Sequence, residues 1–350
     1  MDVGSWELSD TSDLGAHVAI SPSDLFLSAD LTADEARRYL ETFGFEDPGA
    51  ADTRLQTLAE DVQVREALAS LAGPLLESLR QTPDPDAGLS AFVRYVDASP
   101  ARTTLLRYFA DDPRVLGVLV DVTATAPFAT ELLIRNPEFL HWLAREITRT
   151  PPDATDLADD ATSALGAFAD PVARLDSLKR FQRRELLRIA GREAVGRATA
   201  AETARQLSLL AETIVDLVLS EAVRRVPSAT GAALVVVALG AFAARQLDYG
   251  TTLDLVIVGD DAQAHRAAGV ERLEAVGSRL LADLTEESAE GSFYELRQPL
   301  ASQDARSPLI LEGQLRTLVA AGGLERYGAG RVRVVAGDAA LAARVGRAFG

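Results

Sequence analysis

Asp254 and its neighbour Thr252 occupy the positions in this sequence where metal-dependent chemistry is most easily imagined. Asp254 lies in the apolar run LDLVIV, which has the composition of a buried strand, and Thr252 stands two residues before it. Side chains two apart on a strand point to the same face. Two carboxylates so placed can share divalent cations that bind a triphosphate and activate an attacking oxygen. Threonine offers only a neutral hydroxyl, so the simpler interpretation of Asp254 alone is a strand-edge or turn aspartate that accepts backbone N–H groups.

The elements that position Asp254 follow from runs of strand-forming residues. ALVVVAL (residues 233–239) and LDLVIV (253–258) predict two strands, and GAFAARQLDYG between them predicts a glycine turn followed by the start of a helix. A charged helix is predicted over about residues 262–285. SFYELRQ (292–298) and RVRVVAG (331–337) are shorter strand candidates, with the helical segment LEGQLRTLVAAG between them. The last third of the chain therefore predicts a small domain with strands and helices.

The part of the chain before residue 227 is predicted to be helical. We expect an irregular extension over 1–30, a helical domain over 31–150, a linker over 151–170, a long helix pair over 171–226 and the strand-containing domain over 227–350. Thr32 and Glu35 fit a capping box, and Asp170-Pro171 fits a helix start. The fold class predicted is α+β, with an all-helical N-terminal region and a small domain built on a mixed sheet.

Composition excludes several classes of function. Acidic residues outnumber basic ones by 52 to 35, giving a net charge of −17, which argues against nucleic-acid and anionic-membrane binding. Cysteine is absent, so thiolate chemistry and disulfides are excluded. The acidic start MDVGSWELSD is not a secretory signal, and the longest uncharged apolar run, 231–244, is too short to span a bilayer. We expect a cytoplasmic protein. Lys179 is the only lysine.

The region around Asp254 resembles the glutamine synthetase adenylyltransferases, whose nucleotidyltransferase domain carries a segment like GMGKLGGRELNYSSDLDLIF. The matching residues are Gly240, Arg245, Leu247, Tyr249, Leu253, Asp254 and Leu255. Residues 178–193 and 323–338 are also similar to family segments, and the resemblance covers about residues 36–345. It implies a polymerase-β-type nucleotidyltransferase domain, Mg²⁺ and ATP as cofactors, and glutamine synthetase or a nitrogen-signalling protein as partner. Family enzymes carry two catalytic halves, and this chain has room for one.

The departures from the family segment fall on residues that would do chemistry. The resemblance assigns nucleotide-binding positions to Gly240, Ala241, Arg245, Gln246 and Tyr249, and catalytic positions to Thr252, Asp254, Tyr294 and Glu295, with Asp254 as metal ligand. Ala241 replaces the family lysine, Ala243-Ala244 replace a glycine pair, and Thr252 replaces the first metal carboxylate. The third family carboxylate lies in a segment like YEVDLRLRP. Aligning SFYELRQPL on its proline puts Tyr294 in that position and Glu295 one residue off, on the opposite face of a strand.

Three functions remain compatible with these residues. The first is a regulatory or binding protein of nitrogen metabolism whose catalytic site is degenerate. The second is an active adenylyl-transferring or adenylyl-removing enzyme that uses Asp254 with Asp248, Glu295 or Asp260 as unconventional metal ligands. The third is a structural scaffold only.

A row of arginines at helical spacing is a separate feature. Arg180, Arg184, Arg188 and Arg192 follow one another at intervals of four residues. A solvated helix face is the simpler interpretation, and a phosphate- or partner-binding stripe is the alternative.

Overall fold

A computed structural model describes residues 20–300, 307–327 and 331–349. The chain separates into two compact units, with the division between Thr125 and Ala126. The first unit is helical, and the second combines helices with a mixed five-stranded sheet. The predicted α+β class, with helices first and a small sheet-containing domain after them, is confirmed. The domain boundaries at residues 150, 170 and 226 stay predictions.

The first unit is a helical bundle. Its helices are α1 (Asp24–Leu27), α2 (Ala33–Glu41), α3 (Pro48–Leu58), α4 (Val62–Arg80), α5 (Pro85–Ala98), α6 (Arg102–Asp111) and α7 (Pro113–Thr125). The predicted capping box at α2 is confirmed, since the Glu35 backbone N–H donates to Thr32 Oγ1 and the Thr32 backbone N–H donates to the Glu35 carboxylate. Helix α1 lies within the segment 1–30 that was predicted to be irregular. Its Leu25 and Phe26 are buried. Residues 1–19 lie outside the described part.

The second unit begins with five helices. They are α8 (Pro127–Arg135), α9 (Glu138–Glu146), α10 (Ala154–Gly166), α11 (Pro171–Ala194) and α12 (Ala200–Arg225). Asp170 caps α11 through its carboxylate, with Pro171 in the first turn, as predicted. The segment predicted as a linker contains α10, which buries Leu157, Ala161 and Leu165 and packs on α11 and α12.

The sheet is formed by the predicted strands and one that was not predicted. Its elements are β1 (Leu234–Leu239), α13 (Gly240–Ala243), β2 (Leu253–Gly259), α14 (Asp261–Ala264), α15 (Gly269–Thr285), β3 (Leu296–Arg297), β4 (Leu309–Leu311), α16 (Glu312–Ala320), β5 (Val332–Gly337) and α17 (Ala339–Gly346). β1 is antiparallel to both β2 and β5. β3 and β4 both pair in parallel with β2 and follow one another along its outer edge.

Both faces of the two central strands are covered, which explains why their sequences are continuously apolar. Leu255 and Ile257 belong to the core that includes α12 and α15. Val256 and Val258 belong to a second core with α16 and α17. By alternation, Asp254 is on the same face of β2 as Val256. Within the described residues, no helix has both the length and the apolar character needed to cross a bilayer.

Candidate active site

Asp254 is held by Arg297 on the adjacent strand. The pairing of β2 with β3 places these two residues side by side. Arg297 Nε lies 2.5 Å from Asp254 Oδ1, and Arg297 Nη2 lies 2.6 Å from Asp254 Oδ2. The carboxylate is 14% exposed and the guanidinium 67% exposed. Both oxygens of the retained family carboxylate are therefore bound to a cation that the chain itself supplies, and these hydrogen bonds raise the pKa of Arg297.

Thr252 and Glu295 form the next pair along the same two strands. Thr252 Oγ1 donates a hydrogen bond of 3.3 Å to Glu295 Oε2. Because Thr252 is two residues from Asp254, Glu295 lies on the Asp254 face. The prediction that Glu295 lies on the opposite face is wrong. It rested on aligning the segment at Pro299. The register of β3 places Leu296 beside Leu253 and Arg297 beside Asp254, and the residues just before these pairs, Glu295 and Thr252, are hydrogen-bonded.

Tyr294 lies apart from this row of side chains. Its ring packs against the core that contains α12 and α15. Burial raises the pKa of Tyr294 above its usual range, while a hydrogen bond with Gln182 acts in the opposite direction. A neutral phenol against this core brings no charge to the edge of the sheet where Asp254 lies.

The turn after β1 brings Gly240 next to Asp254. Gly240 has φ 59°, in the left-handed region that favours glycine. A Cβ at this position would lie 3.6 Å from Asp254 Oδ2. Ala241, which stands where the family has lysine, packs against the core. The backbone thus retains the close approach typical of a phosphate-binding turn, without a cation at position 241.

Arg245 is bound within the protein. Arg245 Nε and Nη2 each lie 2.9 Å from a different oxygen of Glu212. Arg333 Nη2 lies 2.6 Å from Glu212 Oε1, and Arg333 Nε donates to the Ala243 carbonyl at 3.0 Å. This network, which we call the Glu212 network, consists of Glu212, Arg245 and Arg333. It fastens the turn to α12 and β5, so the geometry gives Arg245 a structural role.

Tyr249 closes the loop that leads into β2. Its ring packs on Phe128 with centroids 5.3 Å apart, and its hydroxyl donates to Glu193 Oε2 at 3.1 Å. Burial, with the charge of Glu193, raises the pKa of Tyr249 above its usual range. Gln246 is exposed in the same loop. Tyr249 also lines a cavity of about 270 Å³ that reaches Glu295.

Lys179, the only lysine, lies away from the turn. It is 4% exposed, and its Nζ donates to the Glu286 carbonyl at 2.9 Å and to Ser288 Oγ at 3.1 Å. Burial lowers the pKa of Lys179. Its contacts tie α11 to the segment after α15, and they leave no lysine for a phosphate group at the Gly240 turn.

The side chains near Asp254 do not fit a two-metal site. Among the described residues, no cluster of three or more histidine, aspartate or glutamate side chains could hold a metal ion. Asp260 is at the other end of β2, about 20 Å from Asp254 at the rise of an extended strand, and it caps α14 and pairs with Arg344. Asp260 is therefore excluded as a co-ligand. Asp248 accepts the Tyr249 backbone N–H at 2.8 Å.

Arg297 and Glu212 were not predicted from the sequence. Arg297 is two residues after Glu295, as Asp254 is two residues after Thr252, so matched alternation on two neighbouring strands was a signal for their pairing. Glu212 is 33 residues before Arg245, and no local pattern indicates that contact.

Comparisons with known proteins agree with the family resemblance seen around Asp254. A sequence model of the glutamate-ammonia ligase adenylyltransferase family matches residues 116–314. Similar proteins include the bifunctional glutamine synthetase adenylyltransferase/adenylyl-removing enzymes of three bacteria. That of Corynebacterium efficiens is 30% identical over 258 residues, 70% of this chain and 24% of the relative. That of Leifsonia xyli is 30% identical over 264 residues, 73% and 26%. That of Mycobacterium marinum is 27% identical over 345 residues, 93% and 34%. The chain thus spans about a quarter to a third of these relatives' length.

Proposed function

This chain belongs to the glutamate-ammonia ligase adenylyltransferase family, and we propose that it is a non-catalytic member. In this proposal it keeps the framework of a nucleotidyltransferase site without its metal chemistry. It acts as a regulatory or binding protein of nitrogen metabolism. Its partner is glutamine synthetase, the protein that appears in the names of its relatives, or a nitrogen-signalling protein.

The observation that carries the proposal is the set of donors beside Asp254. Thr252 supplies a neutral hydroxyl, and Asp254 itself is bound to Arg297. Solvent screens an ion pair with an exposed arginine, so Arg297 alone competes weakly with a metal ion. The missing carboxylate at position 252 is the larger loss, because a divalent cation depends on charged oxygen ligands. Ala241 removes the cation from the turn as well.

A titration of ATP tests the proposal directly. Isothermal titration calorimetry measures the binding of ATP to the purified chain with and without Mg²⁺. A second assay measures AMP transfer from ATP to purified glutamine synthetase. We expect no Mg²⁺-dependent binding and no transfer, together with saturable binding of the chain to glutamine synthetase. The matched control is Asp254→Asn. Transfer that the wild-type chain performs and this variant loses would overturn the proposal.

An active enzyme is the second candidate, because Glu295 lies on the Asp254 face beside Thr252. In this version Arg297 releases Asp254, and Asp254 and Glu295 bind one cation between them. Glu295→Gln distinguishes the candidates. An active enzyme would lose its Mg²⁺-dependent ATP binding in this variant, whereas a non-catalytic protein would show the same calorimetric trace before and after the change. Failure of glutamine synthetase binding, with no activity, would favour the scaffold alternative.

A further inference from the structure

A second polar cavity lies where the end of α11 meets the start of α12. Its volume is about 110 Å³. Four arginines and one acid are among the residues that line it: Arg188, Arg192, Arg197, Arg205 and Glu202. In a chain with a net charge of −17, this is a local concentration of positive charge. The cavity lies wholly within the second unit.

Several hydrogen-bond donors at this cavity are buried without an acceptor. Arg188 is 4% exposed; its Nε lies 2.6 Å from Glu185 Oε2 and its Nη2 lies 2.9 Å from Gln206 Oε1. Its Nη1 has no partner among the described residues, and neither do Arg192 Nε and Thr203 Oγ1. A buried N–H of a charged group without an acceptor costs free energy. Arg188, Arg192 and Thr203 all line the cavity, so an anion there would lie beside the side chains that carry these donors.

The start of α12 adds a further preference for an anion. Thr199 is its N-cap, and the helix runs for 26 residues, so the positive end of its dipole faces this region. Two carboxylates lie nearby, but each has partners of its own. Glu185 binds Arg188, and Glu202 accepts the Thr199 backbone N–H and hydroxyl. Burial lowers the pKa of Arg192, the charges of Arg188 and Arg197 act in the same direction, and Glu202 opposes them.

The interpretation of the arginine row as a solvated helix face is wrong at this position. Arg180 is exposed, whereas Arg188 is buried and Arg184 and Arg192 are half-buried. The reason is that α9, α10 and α12 all pack on α11. The row of arginines along α11 therefore begins in solvent at Arg180 and continues into the protein.

We propose that the cavity between α11 and α12 is a binding site for a single phosphoryl group, either inorganic phosphate or the phosphate of a small ester. Guanidinium groups bind phosphate oxygens through paired hydrogen bonds. The cavity is well below the volume of about 300 Å³ at which sites for drug-sized ligands begin, so its volume matches a tetrahedral anion and not a whole nucleotide. The proposal does not depend on whether the Asp254 site is active.

Calorimetric titration of inorganic phosphate into the full chain tests this site. Arg197→Ala/Arg205→Ala is the informative variant, because both side chains are exposed and their removal leaves the Arg188 hydrogen bonds in place. We expect the dissociation constant to rise by at least about tenfold, the effect of one or two lost charge-assisted hydrogen bonds. Arg135→Ala removes an exposed charge elsewhere in the same unit and is expected to bind like the wild type.

Three results would overturn the proposal. The first is that the wild type binds neither phosphate nor glycerol phosphate. The second is that the double variant binds phosphate as tightly as the wild type. The third is that Arg135→Ala weakens phosphate binding as much as the double variant does, which would indicate unspecific charge attraction. Arg188→Gln gives an independent arm, with circular dichroism to confirm folding. Tighter binding of glycerol phosphate than of phosphate would identify an ester as the ligand, and the reverse order would identify free phosphate.

Discussion

Asp254 and Arg297 lie side by side on two parallel strands and share a two-pronged ion pair with distances of 2.5 and 2.6 Å. Both carboxylate oxygens of Asp254 are thus taken by a side chain of the same protein. Under the proposed function, two features limit metal binding at Asp254: this ion pair, and the neutral hydroxyl of Thr252 where a carboxylate would be needed.

Thr252→Asp is expected to restore divalent-cation binding, because it returns a second carboxylate to the Asp254 face. We expect the dissociation constant for Mn²⁺ to fall by at least about tenfold relative to wild type. Arg297→Ala alone is expected to change it by no more than about fivefold, because solvent screens an ion pair with an exposed arginine. Electron paramagnetic resonance of free Mn²⁺ measures both. A larger effect of Arg297→Ala than of Thr252→Asp would show that the ion pair, and not the missing carboxylate, limits metal binding.

Gly240→Ala is expected to destabilise the protein by about 1–2 kcal/mol, because φ 59° is a left-handed conformation that is costly for a residue with a Cβ. Gly166→Ala is a suitable control, since a Cβ there would meet nothing within 4 Å and the position has no positive φ. Urea denaturation of both variants gives the free energies of unfolding. Equal values for the two would show that the turn relaxes without strain.

Glu212→Gln is expected to lower the free energy of unfolding by about 1–3 kcal/mol at pH 7, since it weakens charge-assisted hydrogen bonds from Arg245 and Arg333. Burial alone would raise the pKa of Glu212, but the bonds and charges of the two arginines outweigh it and lower that pKa below 4.5. A lowered folded-state pKa stabilises the protein above the unfolded-state pKa, and this contribution decreases as the pH falls through the folded-state value.

The pH dependence of the Glu212→Gln difference is therefore the sharper measurement. Denaturation curves at pH 7 and at successive values below pH 4.5 are expected to show the wild type and the variant converging as the carboxylate is protonated. A difference that stays constant over this range would mean that the network acts through packing and not through charge.

Tyr249→Phe is expected to lower the free energy of unfolding by about 1.5–3 kcal/mol, the usual net contribution of a hydrogen bond to a charged group. The ring keeps its packing on Phe128, and only the bond to Glu193 is lost. The raised pKa gives a second readout. The difference in absorbance between wild type and variant is expected to show no phenol ionisation near pH 10, the usual value for tyrosine. A titration there would place the Tyr249 hydroxyl in water.

The two central strands were predictable because the signal for each is contained in its own few residues. β1 and β2 are buried on both faces, so their sequences are continuous apolar runs. Helix starts such as Thr32 and Asp170 were equally predictable, because a capping side chain accepts a backbone N–H of its own helix no more than three residues further on.

The register of the short edge strands could not be predicted from the sequence in the same way. β3 has only two residues, too few for an alternation pattern, and the alignment on Pro299 put Glu295 on the wrong face. β4 is similarly short and was missed. The burial of Arg188 depends on α12, the next helix along the chain, which folds back and packs on α11. Such contacts are set by the tertiary structure and leave no local period in the sequence.

The burial of Lys179 has a consequence for the chemistry of the whole surface. As the sole lysine of the chain, with its amine turned to the Glu286 carbonyl and Ser288, it leaves acylating reagents and lysine-directed modification without an accessible lysine amine. Cationic side chains on the described surface that stay charged at neutral pH are therefore guanidinium groups, which are planar and directional. A carboxylate that binds such a group through two hydrogen bonds must lie in its plane, so orientation would matter for a partner's carboxylates as well as charge.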